Sequence, residues 1–427
     1  MTSNKSFTSF LLLWSGQLIS AIGSGLTAFG LGVYVYNQTG KASAMALVTL
    51  LAFLPSLVLS APAGVLADRY DRRLLMILGD SLSAIGLIYI LSCMLLGTAQ
   101  LWQICVGVTI SSVFSSLLEP SYRASVTDLL SEEQYSKASG LVQAAGSAKY
   151  LLSPLIAGLL LTRWDIKLLL IIDICTFFVT SASTFVVRKG LEKRDAEKAS
   201  PMLLQLREGW QTVSSNKGVL MLLLTTSLLT FFLGFIQTLS APMILAYQDA
   251  ATLGTAQTIC ACGMLVSSVV IGIIPIKKGY VKILSASLFC TGLFMALFGL
   301  KEDIVLVCVF GFLFFASLPF ANTSLDYLVR INIDNSVQGR AWGLIGVISQ
   351  LGYVGAYAIS GLLADYVFTP MLLEGGTLAN SVGRVIGIGP GRGIGFLVIL
   401  AGVLICVVSV LLYSMKPVRE LEATHAL

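Results

Sequence analysis

Apolar runs of about 20 residues or more, separated by short polar breaks, recur along the whole chain. Each can cross a hydrocarbon core of roughly 30 Å at about 1.5 Å rise per residue. Lipid then dictates helices, because an unpaired backbone amide in the bilayer costs several kcal/mol. Reading the runs between charged or turn-forming residues predicts twelve spans, at about 8–36, 43–67, 74–97, 101–122, 137–162, 166–188, 218–247, 252–275, 281–300, 303–329, 341–366 and 393–415. The pattern therefore predicts an all-α membrane protein with twelve transmembrane helices. The first run, from Phe7 to Tyr36, is too long for a signal-peptide core and reads as a retained span.

One polar stretch is long. Residues 189–217 hold Lys189, Lys193, Arg194 and Lys198, then an amphipathic piece from Leu203 to Trp210, which reads as a linker with a helix lying on a leaflet. It divides the chain into a six-helix bundle at 1–188 and another at 218–427. A weak internal repeat agrees: Ala138, Gly140, Leu141 and Gly158-Leu159-Leu160 recur 203 residues later as Ala341, Gly343, Leu344 and Gly361-Leu362-Leu363. Two repeats are an arrangement that builds transporters with a binding site near mid-membrane.

Composition supports the same class. Of 427 residues 56% are hydrophobic and 11% charged, against roughly 25% charged in soluble domains. Most of the 27 Lys and Arg fall in loops on one side, with Lys41, Arg163, Lys167, Lys301, Arg384 and Arg392 on the other, so the positive-inside rule predicts both termini in the cytoplasm of a multi-pass cell-membrane protein. The eight cysteines lie in apolar runs and read as packing residues. The one histidine, His425, is in the tail, so no metal or cofactor is expected. A net charge of +5 says little about partners by itself, and no nucleic acid is expected among them.

Between the second and third spans the chain reads Gly64-Val65-Leu66-Ala67-Asp68-Arg69-Tyr70-Asp71-Arg72-Arg73. An acid followed by arginines at a helix end can form charge-assisted pairs with neighbouring helix ends, and Gly64 would let another helix approach. Ordinary loop charge accounts for the stretch as well. This decapeptide resembles the loop motif of the major facilitator superfamily, Gly-x-Leu-Ala-Asp-Arg-x-Gly-Arg-Arg, matching at Gly64, Leu66, Ala67, Asp68, Arg69, Arg72 and Arg73, with Asp71 in place of glycine. Trp14-Ser15-Gly16-Gln17 and the antiporter-like Ser153-Pro154-Leu155-Ile156-Ala157-Gly158 are similar to the macrolide-efflux-type drug exporters of that family. The resemblance implies a fold of two pseudo-symmetric six-helix bundles, alternating access, and export driven by an ion gradient. It also implies a conformational latch at Gly64, Asp68, Arg69, Arg72 and Arg73, in which Arg72 meets a carboxylate; Glu119 and Asp128 are the candidates. The corresponding loop at 275–282 contains no acid, so its latch is expected to be lost.

Ionisable groups inside spans cost about 2.5–3.5 kcal/mol on insertion scales and usually face a cavity or a partner. Lys149 lies midway along its span, too deep to snorkel, and could bind substrate, change protonation, or simply pair with Glu119 or Asp173. Asp173 could carry a coupling proton or a static hydrogen bond. Glu119 is placed for an i,i+4 pair with Arg123, and Asp326 for one with Arg330. Gln17, Ser20, Ser24 and Thr27 form one stripe; Gln143 lies near Lys149, and Gln237 and Gln350 are second-half counterparts. The fourth span lacks the arginine that related antiporters often carry, so proton coupling rests on kinship. Gly387 to Gly393 reads as an external loop, not a nucleotide site.

The leading expectation is a monomeric secondary exporter of an amphiphilic small molecule, such as an antibiotic, siderophore or peptide-like metabolite, in exchange for protons. A lipid flippase of the same fold is the near alternative, and a membrane-embedded enzyme or passive channel the distant one. Clustered catalytic groups or a repeated pore ring would mark the latter two, and the sequence offers neither.

Overall fold

The computed structural model describes residues 7–188, 207, 210–211, 213–274, 276–333 and 338–423, the side chains of residues 68, 132, 133, 136, 339, 340 and 423 excepted. The amphipathic piece expected at 203–210 falls largely outside the described residues. Within them, twelve helices are long and apolar enough to cross a membrane.

The first seven helices are α1 (Phe7–Thr39), α2 (Ala42–Arg69), α3 (Arg72–Leu96), α4 (Leu101–Ser115), α5 (Leu118–Leu129), α6 (Glu132–Leu161) and α7 (Ile166–Arg188). α4 and α5 together form the fourth span. Then come α8 (Lys217–Leu245), α9 (Ala250–Ile273), α10 (Tyr280–Phe298), α11 (Ile304–Asn332), α12 (Gln338–Leu363), α13 (Thr369–Leu372), α14 (Gly383–Ile386), α15 (Pro390–Ser414) and α16 (Lys416–Ala423). A π-helical turn, Ala364–Phe368, joins α12 to α13. Starts are set by side chains that satisfy the orphan amides of a first turn. Asp71 caps α3, Asn216 caps α8 and Asp303 caps α11.

The chain forms two compact units: Met1–Gly40, Leu47–Ala199 and Ala250–Thr255 in the first; Lys41–Ala46, Ser200–Asp249 and Ala256–Leu427 in the second. Inside the first unit α1 packs on α6 and α7, and α3 on α4 and α7. Inside the second, α8 packs on α12 and α15, and α10 on α11 and α15. The same four pairings recur with every span advanced by six.

The repeated glycines explain why their short match survives. A Cβ on Gly158 would stand 2.7 Å from the Ala250 carbonyl oxygen, at the start of α9. One on Gly361 would stand 2.5 Å from the Cα of Ser43, at the start of α2. Each glycine lets α6 or α12 touch the backbone of a helix start that groups with its own unit. In the second unit the α2 start is also capped from afar: the Asp365 carboxylate accepts from the amides of Ala42 at 3.0 Å and Ser43 at 2.8 Å.

Three boundaries differ from expectation. The fourth span, expected to end near 122, continues to Leu129 as α5. The eleventh span runs from Ala341 to Leu372, because the π turn carries the helix onward. Residues 390–393, expected in a loop, begin α15 with Pro390 in its first turn. Arg392, expected to be an exposed loop charge, is 2% exposed; it donates to the Gly299 carbonyl at 2.7 Å and lies 3.9 Å from Glu302.

Candidate functional site

In the first unit, three helices build a polar centre in an apolar surround. The stripe on α1 turns Ser24 and Thr27 towards α7, where Asp173 is 1% exposed. Ser24 Oγ donates to Asp173 Oδ1 at 3.3 Å, and Thr176 Oγ1 to the same oxygen at 3.4 Å. Thr27 faces this carboxylate without a well-formed bond. From α6, Lys149 comes alongside: its Cγ is 3.2 Å from where a Cβ on Gly25 would stand, and its charge reaches Asp173. Lys149 is half-buried and forms no ion pair within 4.0 Å among the described residues. A locked Lys149–Asp173 or Lys149–Glu119 bridge is therefore not what this conformation holds.

The other polar candidates scatter. Gln17 is half-buried with its amide nitrogen unpartnered, and Gln143 is exposed on α6. In the second unit the Tyr357 hydroxyl donates to Gln237, and Gln350 is half-buried on α12. Asp326 accepts from Arg330 Nε at 2.7 Å on an exposed helix end. In α6, Ser153 Oγ donates to the Ile22 carbonyl at 3.0 Å, tying the antiporter-like stretch to α1, while Pro154 and Gly158 lie against the start of α9.

The α2–α3 connection is a second charged cluster. Arg72 Nη1 donates to Asp128 at 2.9 Å and to the Ala124 carbonyl at 3.1 Å, while Arg72 Nε reaches the Ala67 carbonyl at 3.2 Å. Of the two candidate partners Arg72 thus meets Asp128; Glu119 accepts instead from Arg123, one turn along α5. Arg69 is exposed, and the Asp68 side chain lies outside those described. Among the described residues no atom beyond its own helix turn lies within 4 Å of where a Cβ on Gly64 would stand, so the close helix approach expected there is not seen among them in this conformation.

Asp71, which the sequence presents as a mere departure from glycine, is the hub of this connection. Its Oδ1 accepts from the amides of Arg73 at 3.0 Å and Leu74 at 3.3 Å, and its Oδ2 accepts from Arg188 Nε at 2.7 Å. Desolvation works against the charged form, but the Arg188 hydrogen bond, the two amides and the Arg188 charge outweigh it and hold the carboxyl below its ordinary pKa.

One residue escapes the sequence reading entirely. Asp80, in α3, is 0% exposed, and neither carboxylate oxygen has a hydrogen-bond partner among the described residues. Asp173 on α7 is the charge that acts on it. So near the Asp68–Arg73 charges Asp80 passes for helix-end polarity; the only signal was an acid standing with Gly79, Ser81 and Ser83 in an apolar run.

The Major Facilitator Superfamily matches residues 13–357. Macrolide efflux protein A of Streptococcus pyogenes is 26% identical over 367 residues, covering 84% of this chain and 90% of that protein. YfiS of Bacillus subtilis (strain 168), described as an uncharacterized MFS-type transporter, is 24% identical over 372 residues, covering 84% of this chain and 87% of that protein. Among solved structures, the nucleoside transporter NupG superposes with a TM-score of 0.76 at 13% identity, covering 96% of this chain and 100% of that one.

Proposed function

The chain belongs to the major facilitator superfamily and is a multi-pass membrane transporter, and on that premise we propose that it exports an amphiphilic small molecule in exchange for protons, by alternating access, with both termini in the cytoplasm. The observation that carries the reading is Lys149: a lysine midway along α6, half-buried, without an ion pair, beside a buried Asp173 that hydroxyls hold in place. An unpaired ammonium at that depth has few uses other than substrate or proton work. It draws the carboxylate or other acceptor oxygens of an amphiphile, while the cationic amino sugar of a macrolide such as erythromycin would be met by Asp173 beside it. The similarity to a protein named for macrolide efflux supports that class. The Arg72–Asp128 and Asp71–Arg188 pairs, which bind α3 to α5 and α7, serve as the latch of one conformation.

The test is uptake of radiolabelled erythromycin into inverted vesicles under an imposed pH gradient. Wild type should accumulate it, and Lys149→Ala should lower the initial rate by about tenfold or more. Undiminished uptake by Lys149→Ala removes that residue from the mechanism. Movement of a fluorescent lysophospholipid with no movement of erythromycin would transfer the assignment to a lipid.

A further inference from the structure

We propose that Asp80 is a proton-binding site, and that its proton is the one exchanged for substrate; the second clause rests on the exporter reading above. The first rests on placement. Asp80 is wholly enclosed by protein, and neither of its carboxylate oxygens meets a donor among the described residues. An ionised carboxylate cannot persist so enclosed without a counter-charge or hydrogen bonds.

The groups that could supply a counter-charge do not reach it. On α3 itself, Arg73 stands two turns away, buried, with Nε and Nη2 unpartnered among the described residues; its charge acts with Asp128 and Asp71 and not on Asp80. From α4 comes no charged side chain, only the thiol of Cys105. From α5 come the phenol of Tyr122, Glu119 bound to Arg123, and Asp128 bound to Arg72. From α7 come Lys167, paired with Asp165, and Arg188, paired with Asp71. That leaves Asp173, whose negative charge opposes a second one at Asp80.

Depth supplies the route. The Asp71–Arg188 pair brings the start of α3 and the end of α7 to one level. From that level Asp80 lies nine residues, or about 14 Å, along α3, and Asp173 fifteen residues, or about 22 Å, along α7. The acids are staggered across the membrane. Thr176, Thr180 and Thr184 continue from Asp173 towards that face on the buried side of α7, and the Thr184 hydroxyl has no partner. In the transport step the O–H bond of Asp80 breaks and its proton leaves towards the Asp71–Arg188 face. The resulting carboxylate takes up a proton by way of Asp173 before α3 and α7 return to the packing seen here.

Infrared spectroscopy of the full chain in nanodiscs, titrated through neutral pH, should show a protonated-carboxyl band that Asp80→Asn removes and Asp80→Glu shifts. The glutamate variant keeps the assignment open to test even if the asparagine variant fails to assemble. In vesicles loaded with erythromycin, Asp80→Asn should lose gradient-driven accumulation by about tenfold or more while keeping exchange of labelled for unlabelled erythromycin within about twofold. A band unchanged in both variants, full gradient-driven transport by Asp80→Asn, or driving by sodium in place of protons would overturn the proposal. If wild type moves no erythromycin, the exporter reading fails for that class, while the infrared titration still decides whether Asp80 holds a proton.

Discussion

The start of α3 and the start of α10 hold corresponding places in the two units, and each needs a negative group to satisfy its first-turn amides and its helix dipole. At α3 the group is local: Asp71 caps the helix and binds Arg188 from the end of α7. At α10 the N-cap is Gly279, whose φ of 78° suits a residue without a side chain, and no acid is near it in sequence. The carboxylate comes instead from Glu422 of α16, which accepts from the amides of Gly279, Tyr280 and Val281. Both units thus fasten the segment following their sixth span's core to the start of their third span, but with the acid moved to the opposite side of the contact. The 275–282 connection contains no acid of its own, and the carboxylate that caps the helix start reaches it from α16.

This contrast breaks most readily at Glu422. It is held in place because α16 docks on its unit through Val418 and Leu421, 0% and 3% exposed, and because Asn332 donates to the Leu421 carbonyl at 3.0 Å. Glu422→Ala strands three amides at once, so we expect a loss of about 2–3 kcal/mol, seen as an earlier thermal transition of the detergent-solubilised protein. Glu422→Gln keeps an acceptor and should lie between. If the alanine variant melts with wild type, water caps α10 equally well and the equivalence of the two contacts is lost.

What the sequence disclosed and what it hid divide along the same line. Twelve spans followed from run length alone, since lipid leaves the backbone no alternative to helices. The depth of Lys149 and the pairing of Arg330 with Asp326 followed from helical spacing. Hidden were the contacts made across sequence: Glu422 caps an amide 142 positions away, and Asp365 caps amides 323 and 322 positions away. No periodicity announces such partners. Asp80 was hidden differently, by neighbouring loop charges that made one more acid look ordinary. Asp71 was hidden by the resemblance itself, which presented it as a missing glycine and so obscured its fitness as a helix cap.

Asp71 gives the milder tests of the comparison. Asp71→Ala removes the cap and the Arg188 partner together and should cost about 1–2 kcal/mol, less than Glu422→Ala because two amides are stranded and not three. A cost equal to or above that of Glu422→Ala would show that the local cap is the stronger of the two.

The smallest effect is expected from Asp71→Asn, since asparagine also caps well and only the charge facing Arg188 is lost. That pair is partly exposed, which limits its worth at neutral pH to below about 1 kcal/mol. Its sign with pH is fixed by the lowered Asp71 pKa. A carboxyl that ionises more readily folded than unfolded stabilises the fold fully above its unfolded pKa, about 3.9 for aspartate, and that contribution is lost as pH falls through the lower folded value. The stability gap between wild type and Asp71→Asn should accordingly be constant through neutral pH and close on acidification below the ordinary aspartate range. A gap that widens in acid would mean that Asp71 is protonated in the folded protein, and that its cap, unlike that of Glu422, works without charge.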